Sequence, residues 1–171
     1  MSEGLKGWRW PTLALLASAG MLAAAHGFEI LGKLDPCPLC LRQRDVYWAA
    51  LAMSATGLIL WNMRSTARFL SALDLMLGLV FLTSAVVAGY HAGVEWGWWE
   101  GPTGCSATPD PDTIVGMDLG GSLDQPVATA ACEDAPWRML GLSMAGWNAL
   151  VSAGLAVLSF SASAYAARRP A

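Results

Sequence analysis

Four long runs almost free of charge constrain this chain more than any other feature. They are Pro11 to about Leu31 (PTLALLASAGMLAAAHGFEIL), Val46 to Met63, Phe69 to about Val94, and Met139 to Ala167. Each is near or above the roughly 20 apolar residues that a helix needs to cross about 30 Å of hydrocarbon. A segment isolated in lipid must satisfy its own backbone N–H and C=O groups, and a helix does so. Spans of about 11–31, 46–63, 69–91 and 141–166 follow, with loops at about 32–45 and 92–140. The expected fold is an all-α membrane protein. It is a four-helix transmembrane bundle in one domain, 1–171, with a long extracytoplasmic loop between helices 3 and 4.

Composition agrees. Hydrophobic residues make up 55% of the 171 positions and charged residues 13%, against roughly 25% charged in soluble domains. A net charge of −3 offers no basic field for nucleic acid. A cleaved signal peptide is the alternative reading of the first run, since Lys6 and Arg9 precede it and Ala23-Ala24-Ala25 could be cut. Against that, the run continues through a polar tail, His26 and Glu29, toward the cysteines.

Charge and tryptophan give the bundle two sides. Lys6, Arg9, Arg64, Arg68, Arg168 and Arg169 all fall on one side of a four-span chain, and positive charge marks the cytoplasmic side. The long loop on the other side is acidic, with Glu95, Glu100, Asp110, Asp112, Asp118, Asp124, Glu133 and Asp134 against Arg138. Trp8, Trp10 and Trp61 mark one interface; Trp48, Trp96, Trp98, Trp99 and Trp137 mark the other. A soluble helical core explains neither pattern. The short outer loop breaks the charge rule with Lys33, Arg42 and Arg44, so those cations need another purpose.

All four cysteines, Cys37, Cys40, Cys105 and Cys132, fall at or beyond the outer edge, where disulfides persist. They allow three pairings. Cys37-Pro38-Leu39-Cys40 is a C-x-x-C pair. A residue before proline avoids the α region and proline suits a first helical turn, so Cys37 is the expected N-cap of helix 2. Free N–H groups and the helix dipole favour a thiolate there. Cys37, Cys40, Arg44 and Trp48 recur at helical spacing and are expected on one face. A permanent cation at Arg44 would stabilise a thiolate on Cys40. Arg42 points elsewhere. Half a zinc site is the competing reading of C-x-x-C, but a Cys₄ site usually has two close pairs, and Cys105 and Cys132 lie far apart. A Cys105–Cys132 bridge could also be purely structural, closing a loop for about 3–4 kcal/mol.

These residues resemble the disulfide bond formation protein B (DsbB) family. The likeness rests on four spans, CPLCLRQR opening the second, YHAGVEWGWWEGPTGC, and CEDAPWRMLGLSMAGWN before the fourth. It implies a protein-disulfide:quinone oxidoreductase of the bacterial inner membrane, multi-pass, with both termini cytoplasmic. The implied partner is a DsbA-like periplasmic thioredoxin-fold oxidase, and the implied cofactor is ubiquinone or menaquinone. By position, Cys105 resembles the cysteine that the partner attacks, and Cys132 its loop mate, which exchanges with Cys37. Cys40 resembles the sulfur facing the quinone. Arg44 and His91 resemble the residues beside it, His91 being also readable as an interfacial polar residue. His26 and Glu29 read as helix-end residues. Met117, Leu119, Leu123 and Val127 could rest part of the loop on the membrane or pack on the bundle.

Two other functions compete. A vitamin K epoxide reductase-like enzyme shares the chemistry, but its quinone-facing C-x-x-C lies near the last helix rather than opening the second. A non-catalytic membrane protein with a structural loop disulfide would be indifferent to changes at Cys40 or Arg44.

Overall fold

The computed structural model describes residues 9–63, 66–102, 105 and 131–168. Met117, Leu119, Leu123 and Val127 lie outside the described residues. Four helices form the bundle: α1 (Arg9–Ile30), α2 (Pro38–Met63), α3 (Ala67–Glu95) and α4 (Met144–Ala167). A two-stranded hairpin, β1 (Arg138–Met139) and β2 (Leu142–Ser143), precedes α4.

Local chemistry sets the helix starts. Pro38 opens α2, and Cys37 caps it by accepting the Cys40 N–H on Sγ at 3.2 Å. Thr66 caps α3 by accepting from Phe69 N, and Ser143 caps α4 by accepting from Gly146 N. A side-chain oxygen at this position satisfies a donor that the helix itself cannot.

α2 begins at Pro38, as the Cys37-Pro38 step implies, two turns ahead of the apolar run from Val46, and α3 continues past its apolar run to Glu95. Residues 141–143, expected to begin the fourth span, belong to the hairpin instead. Its turn places both Leu140 (φ 52°) and Gly141 (φ 82°) in the left-handed region, the geometry of a tight two-residue connection whose twist suits paired strands.

The interior is small and tightly fitted. Ala14 and Leu22 of α1, Tyr47 and Ala50 of α2, Leu77 and Phe81 of α3, and Ala156 of α4 form one buried cluster. Close approach depends on small residues, as in lipid-embedded bundles generally. A Cβ on Gly78 would sit 2.6 Å from the Phe160 ring of α4, and one on Gly57 would meet Leu73 of α3 at 2.4 Å. Ser71 Oγ lies 3.2 Å from Ser163 Oγ across the α3–α4 contact.

The outward faces are apolar: Leu13, Leu16, Ile59, Leu79, Val86, Leu150 and Val157 are all exposed. A helix apolar all round belongs in a membrane or a large core. Among the described residues, α1, α3 and α4 are long and apolar enough to cross a membrane. α2 completes the bundle and carries Arg42, Gln43, Arg44 and Asp45 near its start. This is an all-α membrane protein with its long connection between the third and fourth helices.

Candidate active site

A second buried cluster sits at one end of the bundle: Cys37, Leu39, Val94, Cys105 and Cys132, with Cys40 against it. All four cysteines therefore meet, although they come from a helix start and two distant loop positions. The loop is drawn in by α3. Trp99 folds back over Gly93, where a Cβ would stand 2.1 Å from the indole, and its Nε1 donates to Tyr90 O at 2.8 Å. Tyr90 and Trp99 stack at 5.7 Å between centroids. Cys105 N then donates to Pro102 O, and Cys132 N to Cys105 O, both at 2.9 Å.

Cys105 and Cys132 form a disulfide across 27 residues, with Cα atoms 5.1 Å apart. Cys37 and Cys40 are free thiols whose sulfurs lie 2.8 Å apart, against about 2.05 Å in an S–S bond. The sulfurs of Cys37 and Cys132 and a ring nitrogen of His91 all lie within 4.8 Å of one another. Three soft donors this close would suit a metal, but Cys132 is committed to its disulfide in this state.

Both free thiols stand ahead of the apolar stretch that begins at Val46. The Cys37 thiol is pushed down to about 4, chiefly by the S–H of Cys40, with His91 and the Cys40 backbone N–H also favouring the thiolate against burial. Cys40 moves up: its proton is held in the bond to Cys37, and burial and the neighbouring negative charge act the same way. The pair therefore holds one proton between two sulfurs, with Cys37 the anion.

On the other side of Cys40 lies an apolar cavity of about 370 Å³. Cys40, Gln43, Arg44 and Tyr47 of α2 form one wall. Phe28 and Trp137, whose rings meet at 5.3 Å, form another, and the hairpin residue Met139 covers it. Trp48 was expected on the Cys40 face but is half exposed, and Tyr47 takes the place. At 100° per residue, Tyr47 returns closer to the direction of Cys40 than Trp48 does. Arg42 is exposed.

Arg44 is anchored across the bundle. Its Nη1 pairs with Glu29 of α1, and Nη2 donates to Ala25 O at 3.1 Å. His26 stands 3.5 Å from the same Glu29 carboxylate. Reading Glu29 as a helix-end residue missed this pairing; a lone acid late in an apolar run, facing a loop with unexplained cations, was the available signal.

His91 is separated from Arg44. It is not among the described residues lining the cavity. Its Nε2 lies 3.6 Å from Cys37 Sγ and 3.8 Å from Glu95 Oε1, and its Nδ1 lies 2.8 Å from Gln43 Nε2. Gln43 and Asn148 also escaped the sequence reading. Asn148 is an amide in an otherwise apolar segment, which is costly in lipid unless paired; Gln43 stands among charged residues, where nothing in the sequence singles it out.

The cluster can carry thiol–disulfide exchange: a thiolate, a disulfide within reach, and a second thiol beside an apolar chamber. The comparisons agree. The family model Disulfide bond formation protein DsbB matches residues 8–162. A Disulfide bond formation protein B of Xanthomonas oryzae pv. oryzae is 30% identical over 160 residues, covering 92% of this chain and 90% of the relative. That of Xanthomonas euvesicatoria pv. vesicatoria is 32% identical over 148 residues, covering 85% and 83%. That of Nitrosomonas eutropha is 27% identical over 151 residues, covering 86% and 88%. No solved structure gives a significant match. With four helices, a C-x-x-C pair at a helix start and a disulfide loop docked on it, the chain belongs to the DsbB family of disulfide bond formation proteins.

Proposed function

We propose that this protein reoxidises a DsbA-like periplasmic dithiol oxidase and passes the electrons to ubiquinone or menaquinone in the bacterial inner membrane, its termini being cytoplasmic. The observation that carries this reading is the unbroken line of sulfur from the loop disulfide, through Cys37, to Cys40 on the wall of an apolar cavity.

Each step exchanges one S–S bond for another. A partner thiolate attacks Cys105, joining it and releasing Cys132 as a thiolate. Cys132 attacks Cys37 of an oxidised Cys37–Cys40 pair, and Cys40 leaves as a thiolate. The partner's second thiolate attacks its own sulfur in the mixed disulfide and releases Cys105. Cys105 then attacks Cys132, closing the loop disulfide and releasing Cys37. The partner has lost two electrons, and they reside on reduced Cys37 and Cys40.

The cavity suits a quinone. Its volume of about 370 Å³ is within the roughly 300–1,000 Å³ of small-molecule sites. Its aromatic walls suit a flat ring. Two of the five guanidinium N–H groups of Arg44 are seen engaged, by Glu29 and Ala25, so a carbonyl oxygen can be met by others. When bound, a quinone would supply the acceptor for the two electrons released as the Cys37–Cys40 bond re-forms, with one proton coming from the pair and the second from solvent. Phe28 and Trp137 would hold the ring, Arg44 would orient it, and Met139 and the hairpin would keep water from Cys40.

The test is quinone reduction by the full-length protein in lipid nanodiscs, with a reduced thioredoxin-fold oxidase as donor. Absorbance of ubiquinone or menaquinone is expected to fall catalytically with the parent and not with Cys40→Ser. Unchanged turnover in Cys40→Ser would falsify the reading.

A further inference from the structure

We propose that Gln43 and Asn148 are positioning residues that fix the tautomer of His91, so that its Nε2–H donates to the Cys37 sulfur. The inference rests on the reading of Cys37 as a relay thiol, and it concerns how that thiol is made a good leaving group.

The argument follows buried donors and acceptors inward from α4. Asn148 Oδ1 accepts from the Tyr47 hydroxyl at 2.6 Å and from Ser152 Oγ at 3.2 Å. That turns Asn148 Nδ2 toward Gln43 Oε1, 2.5 Å away. With its oxygen occupied, Gln43 presents Nε2–H to His91 Nδ1 at 2.8 Å. An N–H facing Nδ1 requires a lone pair there, and a neutral imidazole has one proton to place. It must sit on Nε2, which lies 3.6 Å from Cys37 Sγ. A proton on Nδ1 would oppose one N–H to another.

His91, Gln43 and Asn148 are all buried, and unpaired polar groups at such depth are costly. The network is therefore set by complementarity along its length. Glu95 Oε1 approaches the same Nε2 at 3.8 Å, and its other oxygen accepts from the Ser143 hydroxyl. Among the described residues, the titratable and charged groups around Cys37 are Cys40 on α2 and His91 and Glu95 on α3. The loop presents Cys132, held as disulfide, and the nearest described residues of α4 contribute neutral amide and hydroxyl groups. On α1, Glu29 is engaged with Arg44.

The consequence falls on one step. Cys37 departs as a thiolate when Cys105 closes the loop disulfide, and a neutral donor aimed at it lowers the cost of that charge. Because Gln43, Asn148 and Tyr47 also line the cavity, the amides that set the histidine form part of the chamber's wall.

The test uses the full chain in nanodiscs, with the Cys105–Cys132 disulfide closed and Cys37 and Cys40 reduced, labelled by iodoacetamide across pH. Fragment-ion mass spectrometry of the peptide that carries both Cys37 and Cys40 separates the two thiols. In parallel, ¹⁵N-histidine NMR reads which ring nitrogen is protonated, and His26→Gln leaves the His91 signals alone. The parent should show the proton on Nε2. Asn148→Asp turns the Gln43 amide over and moves the ring proton to Nδ1, so the Cys37 inflection should rise by about one to two pH units. Gln43→Glu puts a carboxylate nearer the sulfur, but the ring takes up a second proton to donate Nδ1–H to it and keeps Nε2–H in place as an imidazolium, so the inflection should not rise. If charge alone governed Cys37, Gln43→Glu would raise it more than Asn148→Asp; that order overturns the proposal. So does a proton on Nδ1 in the parent. Failure of quinone reduction in the parent would sink the oxidase reading and leave these measurements interpretable.

Discussion

The sulfurs of Cys37 and Cys132 lie within 4.8 Å of one another, although one begins a bundle helix and the other ends the long loop. Proximity of this kind is what disulfide exchange needs, because the attacking and attacked sulfurs must meet without further rearrangement.

That contact predicts a trapping result. In Cys132→Ser, Cys105 is a free thiol that attacks oxidised Cys37; the thiolate of a partner stripped of its second cysteine then takes Cys105 and releases Cys37, so a partner–Cys105 mixed disulfide should accumulate as quinone reoxidises Cys37 and Cys40. Non-reducing gels and peptide mapping check it. A trapped species on Cys37, or none, would reverse the proposed order of transfer.

The shared proton predicts unequal thiols. With its pKa lowered, chiefly by the S–H of Cys40, Cys37 is a thiolate at neutral pH and loses reactivity only as pH falls well below the ordinary thiol range. Cys40 is shifted upward, so it stays protonated at neutral pH. Iodoacetamide at pH 7 should modify Cys37 first, and Cys40 only after that charge is removed. Peptide mass spectrometry over time reads the order; simultaneous labelling would contradict it.

The Arg44–Glu29 pair predicts a binding effect rather than a chemical one. Glu29→Gln removes the anion that anchors the guanidinium, while leaving every sulfur in place. The KM for quinone should rise several-fold, with kcat for dithiol oxidation little changed. A fall in kcat alone would mean that Glu29 acts on the chemistry instead.

The loop's attachment predicts a packing effect. Gly93→Leu cannot coexist with Trp99 in its present position, and overpacking of this kind costs about 1–3 kcal/mol. The indole should be expelled, the loop cysteines should lose their seat, and reduced Cys37 should label faster. Unchanged labelling would show that the loop is held by other contacts.

Much of this fold is readable in the linear chain because lipid imposes a simple rule. Long uncharged runs become helices, and the Cys37-Pro38 step marks where α2 starts. The Leu140-Gly141 turn is not readable in that way: nothing in a leucine announces a positive φ, which the surrounding hairpin imposes. The site divides similarly. Cysteine spacing and the helical offset to Arg44 are local properties, legible within one turn. The contacts of Arg44 with Glu29, and of His91 with Cys37 and Gln43, join different helices. They depend on rotation and depth within the bundle, and spacing along one helix carries no information about either.

The backbone bond from Cys132 N–H to Cys105 O bears on what happens when the loop disulfide is open. It tethers the two cysteines independently of their sulfurs. Each stays at high effective molarity toward the other after the covalent link is gone. In the proposed cycle, Cys105 freed by the partner's second thiolate then finds Cys132 beside it, and the loop disulfide re-forms without a search.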